Sequence, residues 1–471
     1  MFEHCYALTT PEMGSGLMIE VEVIATEELG DRSYVVHDGQ VAVVVDPQRD
    51  IDRIESVLGR LGTRCVLVLE THIHNDYVSG GYQLARTTGA EYTISAHDEV
   101  GFDRHPIRDG DELTAGTMTV RAVATPGHTD HHLSYVVSDG SGTPVVFTGG
   151  SLLYGSVGRT DLVDPARTEE LARAQYHSAR RLADLLPPDA RVYPTHGFGS
   201  FCSAGSTSTS VEGTIGDERR VNDALTEPDP SRFVQRLVAG LIAYPAYYAH
   251  IGARNRGGPA PIDLSPPEPV EPEQLHKRIT AGEWVVDLRD RTAYAADHVA
   301  GTIGIGLGTQ FATWLGWLIP WGTPLTLIGQ TRQQVSDAQR QLVRIGIDHL
   351  AGAAIGEPAD LADPADRRGY PVASFADLAR RDSEHTVVLD VRRDEEWAAS
   401  HIPGALHVPL QDLLHRLDEI PRQQLWVHCE AGYRASIASA LLDRAGHDVV
   451  SVDDEYGHAE ELGLVARSVS R

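Results

Sequence analysis

Glu70-Thr-His-Ile-His-Asn-Asp-Tyr-Val-Ser-Gly-Gly81 is the stretch that decides how the first half of this chain is read. It continues the β-branched run Cys65-Val-Leu-Val-Leu-Glu70, so a buried strand delivers His72 and His74, two residues apart, to its end. Imidazoles placed this way reach a common ion, with Asp76 near a neighbouring position. Later strand ends carry similar chemistry, in Thr125-Pro-Gly-His-Thr129, Phe147-Thr-Gly-Gly-Ser151, Gly158-Arg-Thr-Asp161 and Tyr193-Pro-Thr-His-Gly-Phe-Gly-Ser-Phe-Cys202.

Around this stretch, Gln40-Val-Ala-Val-Val-Val-Asp46 and Met118-Thr-Val-Arg-Ala-Val-Ala124 read as further strands. Ile51 to Leu61 and Thr168 to Leu186 read as helices, the second with Thr168 as N-cap and Glu169 and Glu170 in its first turn. That alternation is an α/β layout. It ends at Gly257-Gly-Pro-Ala-Pro-Ile-Asp-Leu-Ser-Pro-Pro-Glu-Pro-Val-Glu-Pro272, an extended linker.

Beyond the linker a pattern recurs after roughly 100 residues. Val285-Val-Asp-Leu-Arg289, Tyr294 and His298-Val-Ala-Gly-Thr-Ile303 are answered by Val387-Val-Leu-Asp-Val-Arg392, Trp397 and His401-Ile-Pro-Gly-Ala-Leu406. The copies diverge where Leu425-Trp-Val-His-Cys-Glu-Ala-Gly-Tyr-Arg-Ala435 faces Leu325-Thr-Leu-Ile-Gly-Gln-Thr-Arg-Gln-Gln-Val335, so that Gly329 stands in the place of Cys429. The expected organisation is a unit over 1–256 with a C-terminal helical extension, a linker over 257–272, a Cys-less unit over 273–356 and a Cys429-bearing unit over 371–471.

A thiol transfers sulfur only when its thiolate is favoured and its persulfide is shielded from water. The strand Leu425 to His428 brings Cys429 to a turn before a helix that starts near Ala435. The amides of Ala431, Gly432 and Tyr433 and the helix N-terminus converge on the sulfur as an anion cradle, and Arg434 adds positive charge. Glu430 beside the nucleophile disfavours a dianionic donor such as thiosulfate.

At 471 residues, about three domains are expected from roughly 150 residues per domain. The net charge of −27, from 67 acidic and 40 basic residues, argues against nucleic acid and anionic lipid as partners. The start of the chain lacks the pattern of a signal peptide. Ile303 to Trp321, its most apolar stretch, is interrupted by Gly304, Gly306, Gly308, Gly316 and Pro320 and reads as core or an interdomain contact, not a membrane span. Cys5, Cys65, Cys202 and Cys429 lie too far apart in sequence for a disulfide framework, which suits a reducing, cytoplasmic setting.

The histidine set resembles the αββα metallo-β-lactamase sandwich, and Glu20 to about Ala249 resembles its persulfide dioxygenase branch, with glyoxalase II-type thioester hydrolases as a more distant relative. The Asp-x-Arg, His-x-x-Gly and cysteine-loop elements resemble the rhodanese family. The resemblance implies an α/β fold class with an αββα metallo-β-lactamase sandwich followed by two α/β rhodanese-like domains. It also implies metal ligation by His72 and His128, while the family's Asp falls at Gly150 and a histidine of dinuclear relatives falls at Tyr77. What survives is His72, His74 and His128 around one Fe(II) or Zn(II), with Asp76 and His196 as weaker candidates. An acidic residue at 150, if the backbone tolerates one, is expected to tighten iron binding.

Catalysis is expected from Cys429 and Arg434, with substrate contacts at Arg159, Cys202, Glu430, Ala431, Gly432 and Tyr433. An Arg159–Asp161 structural pair is about as well supported as a substrate contact for that arginine. The implied activity is persulfide metabolism: a metal-dependent persulfide dioxygenase-like domain coupled to a sulfurtransferase. The partner is a low-molecular-weight thiol or persulfide such as glutathione persulfide, and a homo-oligomer stays open. Two alternatives stand beside it, a glyoxalase II-like thioester hydrolase and a degenerate, metal-free sandwich that serves as scaffold for a sulfur-carrier domain.

Overall fold

A computed structural model describes residues 19–140, 142–204, 212–381 and 385–467. Six strands in the order Glu20–Thr26, Asp31–His37, Val41–Val45, Arg64–Leu69, Glu91–Ser95 and His105–Ile107 form one sheet. A second sheet runs Arg191–Pro194, Val145–Gly149, Leu133–Ser138, Met118–Ala124 and Glu112–Ala115. Period-two alternation explains how they stack. Val36, Val43, Val45, Leu67 and Leu69 face Met118, Val120, Ala122, Tyr135 and Phe147 between the sheets. Val35, Ala42, Val44 and Val68 point the other way, onto Ile54 and Leu58 of the helix Asp52–Leu61. Val146 likewise meets Ala172, Ala179 and Leu182 of the helix Thr168–Leu185. Each valine, leucine, isoleucine, methionine or phenylalanine among them contributes about 1.5–3 kcal/mol when fully buried, and the result is the expected αββα sandwich.

One local expectation fails. Arg167, not Thr168, is the N-cap of the long helix, because a 3-10 turn over Pro165–Arg167, capped by Asp164, precedes it and the Thr168 hydroxyl donates to the Pro165 carbonyl at 2.8 Å.

After the linker come two parallel sheets with matching strand order. One is Ile303–Gly304, Trp284–Asp287, Leu325–Gly329 and Leu350–Ile355; the other is Leu406–His407, Val387–Asp390, Leu425–His428 and Val449–Val452, with Val372–Ala373 added at its edge. The small devices match too. Arg289 pairs with Asp287 at 2.7 Å and Arg392 with Asp390 at 2.8 Å. His298 stacks on Tyr294 and His401 on Trp397, both at 4.1 Å.

The apolar stretch beginning at Ile303 forms the helix Phe311–Leu318, whose residues are all buried. Trp317 meets Phe201 of the sandwich edge to face at 5.2 Å, and Tyr247 packs where a Cβ on Gly316 would lie. It is the interdomain contact expected of it. Among the described residues no helix is long and apolar enough to cross a membrane.

Candidate functional site

The strand ends of the sandwich gather five buried imidazoles: His72, His74, His128, His132 and His196. Three of them have their ring orientation fixed from behind. His72 Nδ1 lies 2.9 Å from the Thr71 hydroxyl, whose proton goes to Asp46 at 2.8 Å, so Nδ1 is the donor and Nε2 keeps its lone pair. His128 Nδ1 donates to the Arg159 carbonyl at 2.7 Å, and His196 Nδ1 to Asp31 Oδ1 at 2.8 Å. Ligand atoms of His72, His128 and His196 lie within 4.8 Å of one another. The Nε2 atoms of His72 and His196 are 3.4 Å apart, close to the spacing of two nitrogens bound at about 2.1 Å to one tetrahedral ion.

His74 faces elsewhere. Its Nε2 is 3.0 Å from the Tyr77 hydroxyl and 3.3 Å from both Asp46 Oδ1 and Glu70 Oε2. Burial opposes its charge, but Asp46 and Glu70 outweigh burial and push its pKa up to about 9. His74 Nδ1 is buried without a hydrogen-bond partner, Asp76 Oδ2 lies 3.1 Å from His196 Nδ1, and His74, Asp76 and His196 form a second group of ligand atoms within 4.8 Å. The expected trio His72, His74 and His128 is therefore not the set brought together. His196, ranked behind them, belongs to both groups. Tyr77 stacks on His74 at 4.3 Å.

His132 is a supporting residue: its Nε2 accepts from the Gly150 amide at 3.0 Å and its Nδ1 faces the Thr125 hydroxyl at 2.9 Å. His131 is largely exposed beside Asp98. Gly150 lies at the centre as expected, but no gap adjoins it. A Cβ there would lie 2.6 Å from His128 Cγ and 2.7 Å from Nε2. The expectation that a carboxylate at 150 tightens iron binding is corrected: the His128 ring already fills that space.

Cys429 follows the strand Leu425–His428, and the helix Tyr433–Arg444 begins four residues later. Burial pushes its thiol pKa up, against which Arg434 and the amides of Ala435, Ala431 and Gly432 favour the thiolate. Arg434 is not a free charge, because it forms a two-pronged pair with Glu396 at 2.6 and 2.7 Å. The thiol lines a 620 Å³ cavity together with Glu430, Ala431, Tyr433 and Arg434. Glu430 is half exposed, 3.6 Å from Arg392. In the other copy, a Cβ on Gly329 would lie 2.8 Å from Val335 Cγ2, so that position is closed by packing.

Residues 31–196 match the model of the metallo-beta-lactamase superfamily and residues 374–456 that of the rhodanese-like domain. The human mitochondrial persulfide dioxygenase ETHE1 is 32% identical over 200 residues, spanning 42% of this chain and 70% of the relative. The chain belongs to the metallo-beta-lactamase superfamily, as a persulfide dioxygenase-like member fused to a rhodanese-like domain. A probable zinc-dependent polyketide-biosynthesis hydrolase, BaeB of Bacillus velezensis, is 31% identical over 175 residues, 35% of this chain and 72% of its own length. The crystal structure of a metallo-beta-lactamase from Staphylococcus aureus superposes with a TM-score of 0.65 at 26% identity, covering 72% of this chain and 99% of that one. At a coarse level this pairing of domains is that of a sulfur-metabolism protein.

Within this persulfide dioxygenase-like sandwich, the chemistry of the donor set fits a divalent cation. Imidazole nitrogens of His72, His128 and His196 converge, each ring is held by an acceptor behind it, and the Asp76 carboxylate lies next to them. Burial opposes charge on His196, but Asp76 and Asp31 outweigh it and raise its pKa well above the usual range, so a cation bound here would displace a proton from that ring. The substrate role of Arg159 is not supported, since its guanidinium is buried and committed to Asp161 at 2.7 and 2.8 Å, to the Phe201 carbonyl at 3.0 Å and to the Ile242 carbonyl at 2.8 Å. It is the structural pair. Cys202 is buried, and burial followed by Asp76 and Asp31 raises its thiol pKa well above the usual range, so it is no ready nucleophile or substrate contact. Burial pushes Cys65 up to about 12. Cys5 lies outside the described residues.

Sequence reasoning missed Asp31, Thr71 and Glu396. Each acts through another residue's ring or guanidinium, and only Thr71, adjacent to His72, carried a local signal.

Proposed function

We propose that this chain is an enzyme of persulfide metabolism, in which the sandwich acts on a low-molecular-weight persulfide and Cys429 carries its sulfane sulfur. The observation that carries the reading is the place of Cys429, a buried thiol on the loop between strand and helix at the edge of a substrate-sized cavity shared with Arg434; burial raises its pKa, and Arg434 with the amides of Ala435, Ala431 and Gly432 works against that rise. The Cys429 thiolate attacks the outer sulfur of R–S–SH, forming Cys429–S–S⁻ as the S–S bond of the donor breaks and the proton leaves with RSH. The amides then stabilise the persulfide anion, and a second thiol takes the sulfur onward.

In the sandwich, His72, His128 and His196 would hold one Fe(II) or Zn(II), which supplies Lewis acidity and open positions for a sulfur ligand. Asp31, Thr71 and the Arg159 carbonyl keep the three rings turned inward, and the burial of the cluster excludes bulk water. The unit 273–356 is a second, Cys-less copy of the rhodanese-like fold that works as scaffold.

A thioester hydrolase is the second reading, favoured by the all-imidazole set, which suits activation of a water without an anionic ligand. Incubation of the purified chain with glutathione persulfide decides between them. Oxygen uptake matched by sulfite supports the dioxygenase-type reaction, and thiol release from S-lactoylglutathione without oxygen would replace it with hydrolysis. Cys429→Ser should abolish sulfur transfer to a thiol while metal content stays unchanged; retained transfer would remove Cys429 from the reaction.

A further inference from the structure

The wall of the Cys429 cavity opposite the thiol's own unit comes from the Cys-less unit, through Leu288, Arg291, Gly306, Leu307 and Gln310. The seam is tied along the helix Tyr433–Arg444. The Tyr433 hydroxyl donates to the Gly306 carbonyl at 2.8 Å, His298 Nε2 lies 3.2 Å from Asp443 Oδ2, and Arg444 donates to the Gly282 carbonyl at 2.8 Å.

One contact reaches the cysteine loop itself. Gly432 takes a left-handed conformation, φ 82°, and a Cβ there would collide with Asp453 Oδ1 and lie 3.2 Å from Asp453 Cα. The Asp453 carboxylate thus rests on the loop backbone, and the same Oδ1 accepts from Arg291 Nε at 2.8 Å. The Gly432 amide is one of those facing the Cys429 sulfur. An unpaired carboxylate seated there opposes a thiolate and competes for the loop's amides. The other charged and titratable groups around the thiol come from its own unit, as Arg434 with Glu396, Arg393, Glu430, Tyr433, the neighbouring His428 and the Arg392–Asp390 pair, and from Asp290 across the seam.

We propose that Arg291, from the unit with no cysteine of its own, is a positioning residue for the Cys429 loop: its ion pair cancels the carboxylate seated on Gly432 and keeps the amide cradle turned to the sulfur. The Cys-less copy is then a working half of the sulfur-transfer pocket as well as a spacer. This inference rests on the sulfur-transfer reading of Cys429, and its test separates the two.

The test is the pH dependence of Cys429 alkylation by iodoacetamide in the full chain, followed by mass spectrometry of the Cys429 peptide, alongside sulfur transfer from glutathione persulfide. Arg291→Ala should displace the alkylation profile to higher pH and slow the reaction at pH 7 about threefold or more. Arg291→Lys should restore most of the rate. Asp453→Asn placed in the Arg291→Ala background should also restore it, because the opposing carboxylate is gone. A purely architectural contact predicts that the double variant is worse than either single one, and that result would overturn the proposal, as would an Arg291→Ala profile superimposable on the wild type. If wild-type chain shows the expected alkylation pattern among these variants but transfers no sulfur, the positioning role stands and the sulfurtransferase reading falls.

Discussion

Position 150 shows how one side chain decides the chemistry of a pocket. An aspartate there would have to displace the His128 ring, which is anchored by its 2.7 Å bond to the Arg159 carbonyl. Gly150→Asp should therefore lower metal content after anaerobic reconstitution with iron or zinc, and elemental analysis showing more metal than wild type would contradict this. His196→Gln should lower metal content as much as His72→Gln does, since their Nε2 atoms face each other at 3.4 Å. Retention of full metal by His196→Gln would move the ion away from this trio. The resemblance points to His72 and His128, and the strand-end position of each motif is consistent with their meeting at one edge of the sheets. It could not rank His196 over His74, since ring orientation is set by Asp31, 165 residues from His196, and by Asp46, Glu70 and Tyr77 around His74.

At the scale of elements, the helix Tyr433–Arg444 joins the thiol to its surroundings. Its Arg434 is held by Glu396 from the short helix Asp394–Ala399, a partner the sequence did not disclose because the two are 38 residues apart. Burial alone would raise the Glu396 pKa, but the Arg434 pair outweighs it and holds the carboxyl at about 2, below its ordinary 4.5. A depressed carboxylate pKa contributes stability that is complete above the ordinary value and is lost as pH falls through the folded one. The contribution is on the order of 3 kcal/mol, from the drop between 4.5 and about 2. Glu396→Gln should accordingly lower the unfolding midpoint near pH 7, with the difference from wild type closing between pH 4.5 and 2. A difference that persisted unchanged at low pH would show that the ion pair is not its source. The recurring pattern was readable because Asp-x-Arg and the stacked histidines are local in sequence, and the same ion pair and ring stack form at both places.

Across the whole molecule, the Cys-less unit is bound to the sandwich by buried charges that no sequence pattern announced. Arg344 meets Asp50 at 2.8 Å and Glu28 at 3.1 Å, and Arg49 pairs with Asp348 in the reverse direction. The carbonyl of Arg344 also accepts from the Val78 amide at 2.7 Å, within the same stretch that carries His72 and His74. Removing one partner of a buried pair leaves the other charge out of water, a cost of about 3–5 kcal/mol. Here the lower end applies, because Arg53 remains 2.9 Å from Asp50. Arg340 offers the internal comparison: it is partly exposed, meets the exposed Asp52 at 2.8 Å and approaches the buried Asp50 only at 3.4 Å, where Arg344 and Arg53 already serve that carboxylate, so its loss should cost about 1 kcal/mol. Calorimetry of Arg344→Ala should show the sandwich unfolding separately from the unit behind it and at lower temperature, while Arg340→Ala keeps the wild-type profile. Equal effects from the two variants would mean that the shared apolar contact of Phe201 and Tyr247 with the helix Phe311–Leu318, not the buried pair, couples the domains.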